Sequence, residues 1–263
     1  MTSPQQPDAV ALQTVLGSIG TLTVSQLVEL FNTYSATDGF TDLLRTAVPE
    51  IVGQHAQAAA TVTAQWYDEL KPGSTFHATP VVDLPAERMQ KSIGWALHAP
   101  GPKTLQPAPG QPAGGLTAMT ETQDPATALS RLAGSAKRMV YDAGRDTIVQ
   151  NAAAEDVGWA RYAQPDACAF CRVLATRSAD SLYMTEHSAQ FVVGRARKTR
   201  GKRKMGEKYH DHCRCVPFPI RSGDYDPPNY TQLWQEQYED ARNDGNSTLK
   251  AILAHMRANS DAH

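Results

Sequence analysis

The chain has 263 residues, 41% hydrophobic and 20% charged, a length and balance that support a self-sufficient core and exclude wholesale disorder. A formal net charge of −2 excludes a strong field over the whole molecule, and no stretch reads as the roughly 18 apolar residues of a transmembrane helix. The opening MTSPQQPDAV has neither the basic nor the apolar region of a secretion signal, which predicts a chain made in the cytoplasm without membrane contact.

Residues 1–98 read as a helical region. Thr23 and Gln26 have capping-box spacing ahead of Leu27, Val28, Leu30 and Phe31, predicting a helix start there. A second helix is predicted from Thr37 or Asp38 through Phe40, Leu43 and Leu44. Pro49 predicts either a kink or the first turn of a fresh helix, because it cannot donate an interior hydrogen bond. Ile51, Val52, Ala58, Val62, Trp66 and Leu70 then continue to Pro72-Gly73. A shorter helix is predicted from about Pro85 to His98, with Met89, Ile93 and Leu97 at helical spacing and Trp95 off that line.

Residues 99–125 turn to Pro, Gly, Thr and Ala without periodicity, which predicts a linker or extended arm, with a long ordered loop as the alternative. A strong helical pattern resumes at Ala126 and runs through Leu129, Leu132, Met139, Val140, Ile148 and Val149. Gly158 to Tyr162 alternates as a strand before the turn at Gln164-Pro165-Asp166. Cys168 and Cys171 enter a short helix ending near Arg177, and Phe191-Val192-Val193 predicts another strand. Val216, Phe218 and Ile220 at period two make Cys213 to Ile220 the closing strand, and a polar helix from about Thr231 to Met256 fills the tail, 221–263. The fold class is α+β, predominantly helical: an N-terminal helical region, a small zinc-clamped α+β domain over 126–220, and a C-terminal helix.

All four cysteines fall in two short segments, Cys168-Ala-Phe-Cys171 and His210-Asp-His212-Cys213-Arg-Cys215. A Cys-x-x-Cys pair at a turn presents two thiolates to one ion, and a closed zinc site takes four such ligands. The favoured set is Cys168, Cys171, His210 and Cys213. Cys215 competes for the fourth place, since it faces the same way as Cys213 on a strand, and His212 is the outsider. Disulfides, a redox pair and an open catalytic zinc site use the same residues. The missing secretion signal argues against the first, and the absence of a thioredoxin-like strand and helix order against the second. An open site would have only Asp166, Glu186, Glu207 and Asp211 near it as acids or bases.

Inside the loop that this metal would close lie Arg195, Arg197, Lys198, Arg200, Lys202, Arg203 and Lys204, seven positive charges in ten residues. Setting those seven aside from the net −2 leaves −9 on the rest of the chain. Such a run suits nucleic-acid phosphates, whose attraction needs no base reading, and a solvated loop is its plainer explanation. No nucleophile elbow, Walker loop or His-Glu-x-x-His pair is present, so no catalytic residue is assigned.

The segments GWARYAQPDACAFCRVLATR (158–177) and YHDHCRCVPFPI (209–220), in that order, resemble the Mu F-like minor head proteins of tailed phages. That family's signature pairs a Cys-x-x-Cys with a late His-x-x-Cys-x-Cys, here Cys168/Cys171 and His210/Cys213/Cys215. The helix carrying Asp142, Arg145, Asp146 and Ile148 and the Trp159 strand look most like the actinobacteriophage branch, members of which are often labelled capsid maturation protease. The resemblance covers roughly residues 126–220, and the basic run before His210 departs from its compact pattern. It implies a low-copy virion protein in the capsid interior, made in the host bacterial cytoplasm and partnered by the portal protein and by major capsid or scaffold protein. Contact with packaged double-stranded DNA is a further expectation, and a maturation protease acting on capsid or scaffold is the alternative.

Overall fold

The computed structural model of the chain describes residues 7–98, 125–176, 209, 213–221 and 227–261. The linker 99–124, the strand expected at 191–193, the basic run 195–204, and His210 and His212 lie outside the described residues. The described chain is mostly helical with one small antiparallel ribbon, as the sequence predicts. In order it forms α1 (Pro7–Tyr34), α2 (Phe40–Glu69), α3 (Ala86–His98), α4 (Pro125–Ala154), β1 (Gly158–Tyr162), α5 (Ala169–Thr176), β2 (Val216–Ile220), α6 (Tyr230–Asn243) and α7 (Leu249–Asn259).

Three boundaries differ from expectation for identifiable reasons. Thr23 does not start a helix; it is buried inside α1 and its hydroxyl donates to the Ile19 carbonyl one turn back, at 2.9 Å. α2 continues through Pro49, whose missing N–H frees the Arg45 carbonyl, and Gln90 of α3 donates to that carbonyl at 3.0 Å. The C-terminal helix is two helices, because Gly245 takes a left-handed φ of 84° and Thr248 caps α7 through its hydroxyl.

The core is organised around α4. At one end Leu12 and Leu16 of α1, Trp66 and Tyr67 of α2, and Val140 and Ile148 of α4 pack with Tyr162 and Val216 of the ribbon. At the other end Leu27, Phe31, Leu44, Val52, Met89 and Ile93 close on Leu132 and Met139. The segments on either side of 99–124 therefore share one helical core. The Ala9–Tyr34 stretch of α1 is also long and apolar enough to cross a bilayer by length and composition, a property not picked out from the sequence. Its inner side is occupied by α2 and α4.

α4 buries polar side chains as well, and Asp142, Arg145, Thr147 and Asn151 among them have partners. Asn151 and Thr147, one turn apart, bond the backbone of Thr79 and Val81 in both directions, at 2.7–3.3 Å in all, if their bonds within α4 are included. They dock the extended chain ahead of α3 as a sheet neighbour would. The ribbon pairs Gly158 with Ile220 and Tyr162 with Val216. Pro217 and Pro219 alternate along β2 and have no N–H to offer, so the outer edge of this strand cannot template another.

A candidate metal centre

β1 and α5 bring Cys171 to the place where the chain enters β2. The turn Gln164 to Ala167 closes with a 2.9 Å backbone bond and delivers Cys168 to the mouth of α5, so Cys171 falls inside its first turn. On the other side Cys213 and Cys215 precede β2, whose pairing with β1 fixes their direction. The sulfurs of Cys171, Cys213 and Cys215 all lie within 4.8 Å of one another, and Cys171 and Cys213 are 3.3 Å apart. Sulfurs at about 2.3 Å from a tetrahedral zinc stand about 3.8 Å apart, so these three are spaced for one ion rather than for a covalent bond of about 2.05 Å. All four cysteines are free thiols. Cys168 stands beside the group, hydrogen-bonded to Cys171. Three clustered cysteines can thus hold a metal ion such as zinc.

The surroundings are cationic. Arg161 of β1 is buried and donates to the Cys171 sulfur at 3.3 Å. Arg145 of α4, 1% exposed, donates through Nε to the Cys215 carbonyl at 2.9 Å and through a terminal nitrogen to the Cys213 carbonyl. The two guanidinium groups lie against the Tyr209 ring, at 3.7 Å and 3.9 Å from its centre. Asp142, one turn before Arg145, accepts from it at 3.3 Å and from Arg88 of α3 at 2.6 Å. The Cys213–Cys215 segment is therefore anchored through α4 to α3.

Ionisation of the thiols follows this geometry. Cys168 is lowered to about 7, chiefly by its hydrogen bond to Cys171, against the upward push of burial. For Cys171 the bond to Cys168 acts upward, but bonds from Cys213 and Cys215 and the Arg161 charge outweigh it and hold this thiol well below its usual range. Cys213 and Cys215 are pushed up, first by their hydrogen bonds to Cys171. Of the three clustered thiols, Cys171 is thus the most readily ionised.

Of the expected ligands, the structure gathers Cys171, Cys213 and Cys215, with Cys168 adjacent. His210 and His212 lie outside the described residues, as do Arg195, Arg197, Lys198, Arg200, Lys202, Arg203 and Lys204. Roles for Arg145, Arg161 and Tyr209 were not assigned from the sequence. Arg145 had a legible signal: a charged residue three positions after Asp142, on the buried line between Met139 and Ile148 of an amphipathic helix.

A mostly helical protein with a small two-stranded ribbon beside a cluster of thiols is the class this fold and site define. The family model described as VG15 protein matches residues 3–241, and the chain belongs to that family. No curated protein and no solved structure matches the chain.

Proposed function

We propose that Cys168, Cys171, Cys213 and Cys215 bind one structural zinc ion, and that the chain serves as a low-copy structural component of a phage head near the portal. The observation that supports the metal reading is the burial of Arg145 and Arg161 around clustered thiols. Cys168 already stands beside the other three thiols, hydrogen-bonded to Cys171, which favours it over His210 for the fourth place. An all-thiolate tetrahedron is a closed site, in which zinc contributes to folding rather than to chemistry.

The virion reading rests on the two cysteine motifs and their order, which resemble the Mu F-like minor head proteins. The basic run 195–204 supports contact with double-stranded DNA by charge alone. Portal protein and major capsid or scaffold protein are the proposed partners, and the capsid interior is the proposed location.

Elemental analysis of the purified chain tests the metal reading. One zinc per chain is expected, lost in Cys171→Ser and retained in His210→Ala; a metal-free wild type, or retention in Cys171→Ser, overturns it. Peptide mass spectrometry on gradient-purified particles and procapsids tests the virion reading. A few copies per portal ring support it, and absence from both kinds of particle defeats it.

A further inference from the structure

A groove of about 540 Å³ opens between α1, α4 and the Cys213–Cys215 segment. Thr14, Ser18 and Thr21 line its α1 wall, and Lys137 of α4 and Arg214 face them. Among the described residues, no Asp or Glu lines the groove and neither cation is ion-paired. Gly20 shapes this arrangement: a Cβ there would come within 3.0 Å of Lys137 Cγ and 3.3 Å of its Cε, so the lysine stem lies flat on α1. A Cβ at Gly17 would likewise stand 3.3 Å from the Tyr141 hydroxyl.

The α1 wall is a wall of acceptors. The hydroxyls of Thr14, Ser18 and Thr21 each donate to the carbonyl one turn back, at 2.9, 3.1 and 2.9 Å, which leaves their lone pairs for a ligand. Gln13, 1% exposed, also lines the groove, and its Oε1 has no hydrogen-bond partner. A ligand suited to this site carries two negative charges on one side and hydrogen-bond donors on the other. A phosphomonoester carries about −1.5 to −2 at neutral pH, better matched to two cations than a singly charged carboxylate. The volume falls in the range of about 300–1,000 Å³ usual for small-molecule sites.

We infer that this groove binds a small phosphomonoester with a hydroxyl-bearing body, its phosphate on Lys137 and Arg214 and its hydroxyls toward Thr14, Ser18, Thr21 and Gln13. Ribose 5-phosphate is the probe, titrated into the ¹⁵N-labelled full chain while the amides of Gly17, Ser18 and Lys137 are followed, with ribose and inorganic phosphate in parallel. Saturable shifts are expected with ribose 5-phosphate, weaker binding with inorganic phosphate, and none with ribose. Lys137→Met and Arg214→Gln should each weaken binding about tenfold or more, the loss of one charge-assisted hydrogen bond. Arg214 is exposed and Lys137 half-buried, so both variants should melt as the parent does. No saturable shift at millimolar probe, or affinity unchanged in both variants, overturns the site. Equal affinity for inorganic phosphate overturns the hydroxyl-bearing body, and equal affinity for ribose overturns the phosphate.

Discussion

Asp156 stands alone among the described residues as a non-glycine with a left-handed backbone, at φ 57°. It ends α4: the Val157 N–H bonds the Ala152 carbonyl at 2.9 Å and the Asp156 N–H bonds Ala153 at 3.3 Å, the pattern of a Schellman cap. α6 ends the same way at Gly245, where glycine takes the conformation without a Cβ penalty. Asp156→Gly should therefore stabilise the chain by about 0.5–1 kcal/mol in urea melts; a loss would mean that the Asp156 carboxylate makes a contribution larger than the backbone strain it relieves. Its neighbour Glu155 carries a pH dependence. Burial would raise its carboxyl, but hydrogen bonds from Arg221 and Tyr67 and the Arg221 charge outweigh that and hold it below the ordinary 4.5. Because the folded value is depressed, the contribution is fully present above pH 4.5, where the unfolded chain is also ionised. It fades as pH falls from there through the folded value. Glu155→Gln should flatten stability against pH in that acid window and leave the slope near neutrality unchanged. Parallel curves for variant and parent would remove Glu155 from the acid response.

Helix contacts set the next scale. At Gly144 the crossing of α1, α2 and α4 leaves no room: a Cβ would come within 2.9 Å of Thr63 Oγ1 and 3.2 Å of both Leu16 methyls. Thr63 cannot swing away freely, since it is β-branched and bonded to the Ala59 carbonyl at 2.7 Å. Gly53, in the middle of α2, would place a Cβ in open space. Gly53→Ala should raise stability by about 0.5–1 kcal/mol through helix propensity. Gly144→Val gains little propensity and should lose about 2 kcal/mol or more by overpacking. Melts moving in the same direction would contradict the crossing geometry. Neither glycine looks different in sequence, and the reason applies widely here. Local patterns made β1, the turn after it, α3 and the extent of α4 legible, because alternation, Pro-Asp and helical spacing are properties of neighbours. α1 hid its first half because Thr23 and Gln26 fit a capping box in sequence, while the Thr23 hydroxyl bonds back into the helix like those of Thr14, Ser18 and Thr21. The cysteine pairs were legible as clusters. Arg145 was legible only as a charge on a buried helix line, and Arg161 not at all, because what gives both their place is burial against segments far along the chain, a distance that no spacing rule spans.

Over the whole molecule, two kinds of core meet at α4. Leu, Ile, Val and aromatic side chains of α1 to α4 fill one. The other, around Cys171, Cys215, Phe170, Leu174 and Trp234, is small and includes the thiols themselves. α6 and α7 are tied to it by Tyr230, which donates to the Ala163 carbonyl at 2.7 Å, and by Arg172, which bonds the Pro165 and Ala167 carbonyls and Asp261. Structural zinc is worth about 10–16 kcal/mol in small zinc domains, comparable with the about 5–15 kcal/mol that stabilises an entire typical domain. With the proposed zinc bound at these thiols, this end of the molecule should not survive the metal's removal, whereas the apolar core of α1 to α4 has no thiol in it. Hydrogen exchange with and without a chelator separates the two. Amides of α5, β2, α6 and α7 should lose protection when metal is stripped, while α2 and the first half of α4 keep theirs, and Trp234 should move to a wetter emission. A uniform loss of protection would mean that the Arg145 and Asp142 network makes the two cores a single cooperative unit. Unchanged exchange at α5 would mean that the thiols pack as ordinary core residues and that metal contributes nothing to the fold.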